Sequence, residues 1–123
     1  MPRTTVLDRR EMVDRAVEAC RSAHGTCTET IVYGLELGGD RADERLVTLL
    51  QDCADLCRLT EDVLLRGSRY TDRICGLCAD SCEDAAEACD AFPDDEVMKA
   101  CANETRRCAD ASRELVSSEP RSP

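Results

Sequence analysis

The cysteines recur along the chain in a way that limits the folds it can adopt. There are ten of them in 123 residues, and within four separate segments they stand three, four or seven residues apart. Side chains at these intervals share one face of an α-helix. Turn-forming sequences at Gly38–Asp40, Arg66–Ser68 and Phe92–Asp94 separate the segments, which are otherwise rich in helix-favouring residues. The sequence therefore predicts an all-α fold, an antiparallel up-down-up-down four-helix bundle.

Each segment carries a core stripe, a set of inward positions whose spacing alternates between four and three residues as in a helical bundle. The predicted core stripes are Val13, Val17, Cys20, His24, Cys27 and Ile31; Leu46, Leu50, Cys53, Cys57, Thr60 and Leu64; Thr71, Cys75, Cys78, Cys82, Ala85 and Cys89; and Val97, Cys101, Glu104, Cys108, Ala111 and Leu115. All ten cysteines fall on these stripes, although about two in seven would do so by chance. Packing alone explains one or two buried thiols, not ten in place of larger side chains. We therefore expect a Cys-lined core in which sulfur atoms from all four helices form a column along the bundle axis.

The chain is long enough for one compact domain. We expect residues 1–116 to form a four-helix-bundle metal-binding domain and residues 117–123, which are polar and contain two prolines, to be a disordered C-terminal tail. Asp40, Ser68 and Asp94 are predicted N-caps, because short polar side chains at these positions can accept from the first free amide groups of a helix.

Charge and composition exclude several classes of function. The chain carries 16 Lys and Arg against 26 Asp and Glu, a formal net charge of -10, which disfavours nucleic acid and anionic membranes as partners. The N-terminal segment lacks the apolar run of an export signal, so we expect a cytoplasmic protein whose thiols stay reduced and serve metal chemistry. The sequence has none of the motifs of phosphate-binding, hydrolase or zinc-protease sites, so we expect no enzyme.

The thiols are therefore the candidate metal ligands, and two other residues on the predicted stripes join them. The candidate ligands are Cys20, Cys27, Cys53, Cys57, Cys75, Cys78, Cys82, Cys89, Cys101 and Cys108, with His24 and Glu104. His24 is either a nitrogen ligand or a core histidine that is hydrogen-bonded to Glu104 or a threonine. A carboxylate inside a bundle is costly unless it is paired, so Glu104 is either functional or partly exposed.

Three kinds of metal centre suit this set. Cu(I) accepts two or three thiolates, and shared sulfurs can link neighbouring ions, so a column of thiols favours several Cu(I) ions, up to about ten. An iron–sulfur cluster is the alternative at Cys75, Cys78 and Cys82, with Cys53 or Cys57 completing it. A zinc-binding thiol bundle is the third possibility.

The pairs Cys53-Ala-Asp-Leu-Cys57 and Cys78-Ala-Asp-Ser-Cys82 resemble those of the cysteine-rich four-helix-bundle copper-binding proteins, which include the bacterial cytosolic copper storage proteins. The resemblance extends from about Cys20 to Ser112. It implies a Cys-lined tube that stores or sequesters many Cu(I) ions, in copper homeostasis or detoxification. It also implies metal ions as partners, a copper chaperone as the delivery protein, and a homo-oligomer, often a homotetramer.

Overall fold

The computed structural model describes residues 6–117, with side chains from Asp8 onward. It contains four α-helices, α1 (Val6–Leu37), α2 (Glu44–Arg66), α3 (Thr71–Cys89) and α4 (Glu96–Ser117), with a short 3-10 helix at Gly39–Ala42. No strand occurs within this range. Helices α1 and α3 each pack against both α2 and α4, whereas the diagonal pairs of described helices do not pack together. The predicted four-helix bundle is therefore confirmed.

The turns lie where the sequence predicts them, but the N-caps differ. Asp43 caps α2, because its carboxylate accepts from the Arg45 amide at 3.0 Å; the 3-10 helix displaces this cap from Asp40. Asp95 takes the capping role predicted for Asp94, since its Oδ1 accepts from the second and third amides of α4 at 2.9 and 3.1 Å. Ser68 accepts from the Tyr70 amide within the turn and does not cap α3.

Asp95 also ties together one end of the bundle. Its Oδ2 accepts from Tyr33 Oη at 2.7 Å and from Arg41 Nε at 2.6 Å, and its side chain is 3% exposed. The Arg41 guanidinium lies 5.0 Å from the centre of the Phe92 ring. Burial opposes ionisation of Asp95, but the hydrogen bonds from Arg41 and Tyr33 outweigh it and lower the pKa of the carboxyl to about 2. This network joins α1, the 3-10 helix and α4 around one charged group.

Small side chains fill much of the core. The cysteines alternate with buried alanines on all four helices, for example Ala23, Ala54, Ala79 and Ala109. Because alanine adds little bulk between helices, the backbones approach closely and the sulfur atoms are drawn together. The larger buried side chains lie at the two ends, including Leu50 and Met98 at one and Leu115 at the other.

The described part of the chain holds no helix that is both long and apolar enough to cross a membrane. Helix α4 ends at Ser117, and residues 118–123 of the predicted tail lie outside the described residues. The proposed domain boundary and the disorder of the tail stay predictions.

Candidate metal centre

Sulfur atoms from all four helices meet inside the bundle. All ten cysteines are free thiols and at most 1% exposed. The Sγ atoms of Cys53 and Cys82 are 3.5 Å apart, and those of Cys20 and Cys108 are 3.6 Å apart. These two contacts join α2 to α3 and α1 to α4, so the thiols of different helices are direct neighbours.

Four of these sulfurs form a compact group, which we call the thiol tetrad: Cys57, Cys78, Cys82 and Cys108. Their Sγ atoms all lie within 4.8 Å of one another. Cys57 is 3.8 Å from each of the other three. No other set of four such ligands lies so close together among the described residues, although Cys53 completes a close triangle with Cys57 and Cys82, at 4.0 and 3.5 Å.

The remaining sulfurs extend the tetrad along the bundle axis. Cys53 lies 4.0 Å from Cys57, and its thiol interacts with that of Cys27, which interacts in turn with Cys101. Cys89 interacts with Cys101 and ends the series near the Asp95 network. Together with Cys20 beside Cys108, nine sulfurs thus form one continuous thiol column.

Cys75 lies beyond this column. It packs in a separate apolar cluster with Ala16, Val17, Leu64 and Leu115. Burial raises the pKa of its thiol to about 12, and the nearby Cys78 adds to the effect. The tenth predicted ligand is therefore buried and close to the column without being in direct thiol contact with it.

Hydrogen bonds between neighbouring thiols shift the pKa values of the column's cysteines in opposite directions. They raise the pKa of five thiols, those of Cys20, Cys27, Cys57, Cys82 and Cys89. They lower the pKa of the other four thiols, those of Cys53, Cys78, Cys101 and Cys108, the last two to about 4 and about 6. Burial opposes every one of these ionisations, because a thiolate in a dry core loses its hydration. A bound soft cation supplies the positive charge that makes further deprotonation favourable.

His24 lies at the contact between α1 and α2, outside the group of close ligands. Its Nδ1 is 2.9 Å from the Ala54 carbonyl oxygen. Since a carbonyl can only accept, Nδ1 is the donor in this hydrogen bond. The partner differs from the expected Glu104 or threonine, and Ala23 takes the buried position on this side of the helix.

Glu104 lies at the surface between α1 and α4, so its predicted core position is wrong. Its carboxylate accepts from Ser22 Oγ at 2.6 Å and from Arg107 at 3.2 Å, and its side chain is 32% exposed. The hydrogen bond from Ser22 lowers the pKa of this carboxyl, assisted by Arg107. The fully buried neighbour Thr105 occupies the core position instead.

The core stripes of α1 and α4 are shifted by one residue at every second position. The observed stripes are Ala16, Cys20, Ala23, Cys27 and Thr30 in α1, where the predicted Val17 is also buried, and Met98, Cys101, Thr105, Cys108, Ser112 and Leu115 in α4. Both keep the alternating spacing, so spacing alone does not separate them from the predicted ones. The polarity of the side chains could have distinguished the two sets. The observed stripes contain Ala23 and Thr105 where the predicted stripes contain the more polar His24 and Glu104.

The tetrad contains Cys57, Cys78 and Cys82 of the predicted iron–sulfur ligands, whereas the predicted Cys75 lies in the apolar cluster beyond the column. Four sulfurs that all lie within 4.8 Å of one another leave no room between them for a cluster of several iron and sulfide ions. They do allow single ions to be held between sulfurs and shared sulfurs to link neighbouring ions. Such linking favours soft, thiophilic metal ions.

Comparison with known proteins points to the same chemistry. The family model described as copper storage protein (Csp) matches residues 9–117. An uncharacterized cysteine-rich protein of Bacillus subtilis (strain 168), YhjQ, is 28% identical over 103 residues, which cover 84% of this chain and 94% of that protein.

Solved structures of copper storage proteins share the fold. The Cu(I)-bound copper storage protein BsCsp3 superposes with a TM-score of 0.80 at 28% identity, over 85% of this chain and 98% of that one. A cytosolic copper storage protein from Streptomyces lividans, loaded with five coppers, gives a TM-score of 0.78 at 26% identity, over 89% and 95% of the two chains. With the family model matching nearly the whole described bundle, this chain belongs to the copper storage protein family.

Proposed function

We propose that this protein stores Cu(I) in the cytosol through its ten core thiols, with a capacity of up to about ten ions per chain. The observation that carries the proposal is the continuous thiol column, in which sulfurs of Cys20, Cys53 and the thiol tetrad that face each other from different helices lie 3.5–3.8 Å apart. At this spacing one thiolate can serve two ions, so the number of ions can approach the number of sulfurs. The role is binding and release, with no chemical conversion of a substrate.

The ten cysteines are the ligands in this proposal, and His24 and Glu104 are not required. The Nδ1 of His24 is engaged with a backbone carbonyl, and Glu104 is engaged with Ser22 and Arg107. Cys75 serves as a terminal ligand, because it lies next to the column at the end opposite to Cys89. Copper that fills the column replaces thiol–thiol contacts by metal–sulfur bonds and stabilises the folded state.

An anaerobic titration of the metal-free protein with Cu(I), in competition with a strong Cu(I) chelator, tests the proposal. We expect tight binding that saturates near one ion per thiol, with the His24→Ala and Glu104→Gln variants keeping the same capacity. Absence of tight binding, or saturation at a single weak site, would overturn the storage function. Loss of capacity in either variant would instead show that the ligand set is wider than the thiols.

We also propose that the protein self-associates into a homo-oligomer and receives copper from a copper chaperone. Exposed apolar side chains near the C-terminal end of α1, Val32 and Leu35, support a contact between copies, because both are more than half exposed. Sedimentation of the Val32→Glu, Leu35→Glu double variant tests this. A smaller particle than the wild type is expected, and an unchanged particle would exclude this surface as the interface.

A further inference from the structure

We propose that the thiol tetrad is also a tetrahedral site for one Zn²⁺ ion, so that the protein binds a single zinc where it binds many coppers. The site consists of Cys57 from α2, Cys78 and Cys82 from α3, and Cys108 from α4. It uses four of the sulfurs assigned to copper but does not depend on the copper capacity of the column.

The distances within the tetrad match the demands of zinc. Zinc in Cys₄ sites is tetrahedral with Zn–S bonds of about 2.3 Å, and sulfurs at the corners of such a tetrahedron are about 3.8 Å apart. The three distances from Cys57 Sγ to the other sulfurs are each 3.8 Å. The remaining pairs lie within 4.8 Å, so small side-chain adjustments close the tetrahedron around one ion.

The ligand chemistry also fits a closed zinc site. All four thiols are fully buried, and four thiolates satisfy the whole coordination shell without a water molecule. Zn²⁺ has no geometric preference from its d electrons, so the positions of the sulfurs set its coordination. Because the ligands come from three different helices, the ion cross-links α2, α3 and α4.

The stoichiometry follows from the distribution of the other sulfurs. No second group of four ligands is this compact among the described residues, and the close triangle of Cys53 with Cys57 and Cys82 shares two sulfurs with the tetrad. Of the other six cysteines, Cys20 and Cys53 lie beside sulfurs of the tetrad, Cys27, Cys101 and Cys89 continue the column, and Cys75 lies in the apolar cluster beyond it. Pairs of sulfurs suit Cu(I), which accepts two or three thiolates, and leave Zn²⁺ with an incomplete shell.

Copper displaces this zinc. One Zn²⁺ with four thiolates carries a net charge of −2 in a dry core, which burial disfavours. Cu(I) is the softer ion and forms the stronger bonds to thiolate, and it spreads positive charge over the whole column. The zinc form is therefore a state of the copper-free protein.

Cobalt(II) serves as a spectroscopic probe for the test, because it takes tetrahedral thiolate sites and reports them through intense visible bands. Anaerobic titration of the metal-free full chain with Co²⁺ should give these bands with saturation at one ion per chain. One equivalent of Zn²⁺ should then abolish them, and Cu(I) should release the bound zinc to a zinc indicator.

Matched cysteine variants locate the site. In Cys82→Ser and Cys108→Ser the Zn²⁺ affinity should fall by more than about 100-fold, because each removes a direct ligand. Cys89→Ser removes an equally buried thiol outside the tetrad and should leave the affinity and the bands unchanged. Circular dichroism of each metal-free variant establishes that its helices are intact.

Three outcomes would overturn the zinc site: no tetrahedral cobalt bands in the wild type, saturation above one ion per chain, or equal loss of affinity in Cys89→Ser. A parallel Cu(I) titration separates this result from the storage function. A protein without the zinc site that still binds many coppers refutes only the inference, whereas one that binds zinc but little copper refutes only the storage function.

Discussion

Thr105 holds a core position that a thiol would fill with little disturbance. Its side chain is fully buried between Cys101 and Cys108 on the same face of α4. Its hydroxyl donates to the Cys101 and Ala102 carbonyl oxygens at 3.0 and 3.1 Å, so these hydrogen bonds stay within α4. Replacing it removes no hydrogen bond on which the packing of two helices depends.

We predict that Thr105→Cys raises the Cu(I) capacity by about one ion per chain, because the added sulfur enters the column. Glu104→Cys is the control, since its side chain lies at the partly exposed surface beside Ser22 and Arg107. Competitive Cu(I) titration of both variants measures the difference. A gain from Glu104→Cys, with none from Thr105→Cys, would show that the core stripe of α4 has been assigned to the wrong residues.

Sequence reasoning located the thiols but not every residue between them, and the cause lies in their spacing. In α2, Cys53 and Cys57 stand four residues apart and fix both positions of the repeat, so Thr60 is correctly predicted to be buried. In α4, Cys101 and Cys108 are seven residues apart and fix one position per repeat. The second core position of the repeat lies either three or four residues after Cys101, at Glu104 or at Thr105. Only the charge of Glu104 distinguishes these two candidates.

Helix α1 contains two glycines that serve different purposes. A Cβ atom at Gly34 would lie 2.2 Å from the Arg41 carbonyl oxygen, whereas one at Gly25 would have nothing within 4 Å. The absent side chain at Gly34 therefore lets the 3-10 helix fold back against α1. No packing reason of this kind exists at Gly25.

We predict opposite effects of alanine at these two positions. Gly25→Ala should increase the free energy of unfolding by about 1 kcal/mol, because alanine favours a helix interior. Gly34→Ala should decrease it by about 2 kcal/mol or more, since backbone has to move to relieve the clash. Urea unfolding followed by circular dichroism measures both. Equal effects of the two substitutions would contradict the close approach at Gly34.

The end of α4 near Asp95 should give the protein a specific sensitivity to acid. The folded-state pKa of Asp95 is about 2, below the value of about 3.9 for an unfolded chain. Its stabilisation is therefore complete above about pH 4 and is lost as the pH falls towards 2.

We predict that Asp95→Ala lowers the free energy of unfolding at neutral pH by about 3 kcal/mol, because it removes an N-cap and two charge-assisted hydrogen bonds. The difference from the wild type should shrink below pH 4. Asp94→Ala, an exposed neighbour, is the control and should change little. A difference that is constant with pH would show that the charge of Asp95 is not the stabilising element.

The whole molecule couples metal uptake to proton release. Every thiol of the column is buried, and burial opposes ionisation throughout. The thiols with raised pKa values, Cys20, Cys27, Cys57, Cys82 and Cys89, hold their protons at neutral pH, and a metal ion has to displace these protons before it can bind those sulfurs. The burial of the thiols could be predicted from the sequence, because the spacing of the cysteines places them all on the inward faces of four helices. The pKa shifts could not be predicted, because they depend on which thiols of different helices are in contact.

We predict that Cu(I) affinity rises with pH through the neutral range and that binding acidifies a weakly buffered solution. The sign follows from linkage, since the metal-free state holds more protons than the metal-bound state. Competition titrations at several pH values, together with a pH indicator, measure both effects. Uptake without proton release would mean that the thiols are already ionised in the metal-free protein.

The sealed interior also governs how fast the store can be emptied. Because no sulfur is exposed, a large chelator in solution does not reach the ions while the helices stay packed. Release is then timed by transient opening of the bundle, and adding more chelator should bring the extraction rate to a plateau. The packing of the four helices, more than the strength of the metal–sulfur bonds, would thus limit the rate at which copper leaves the protein.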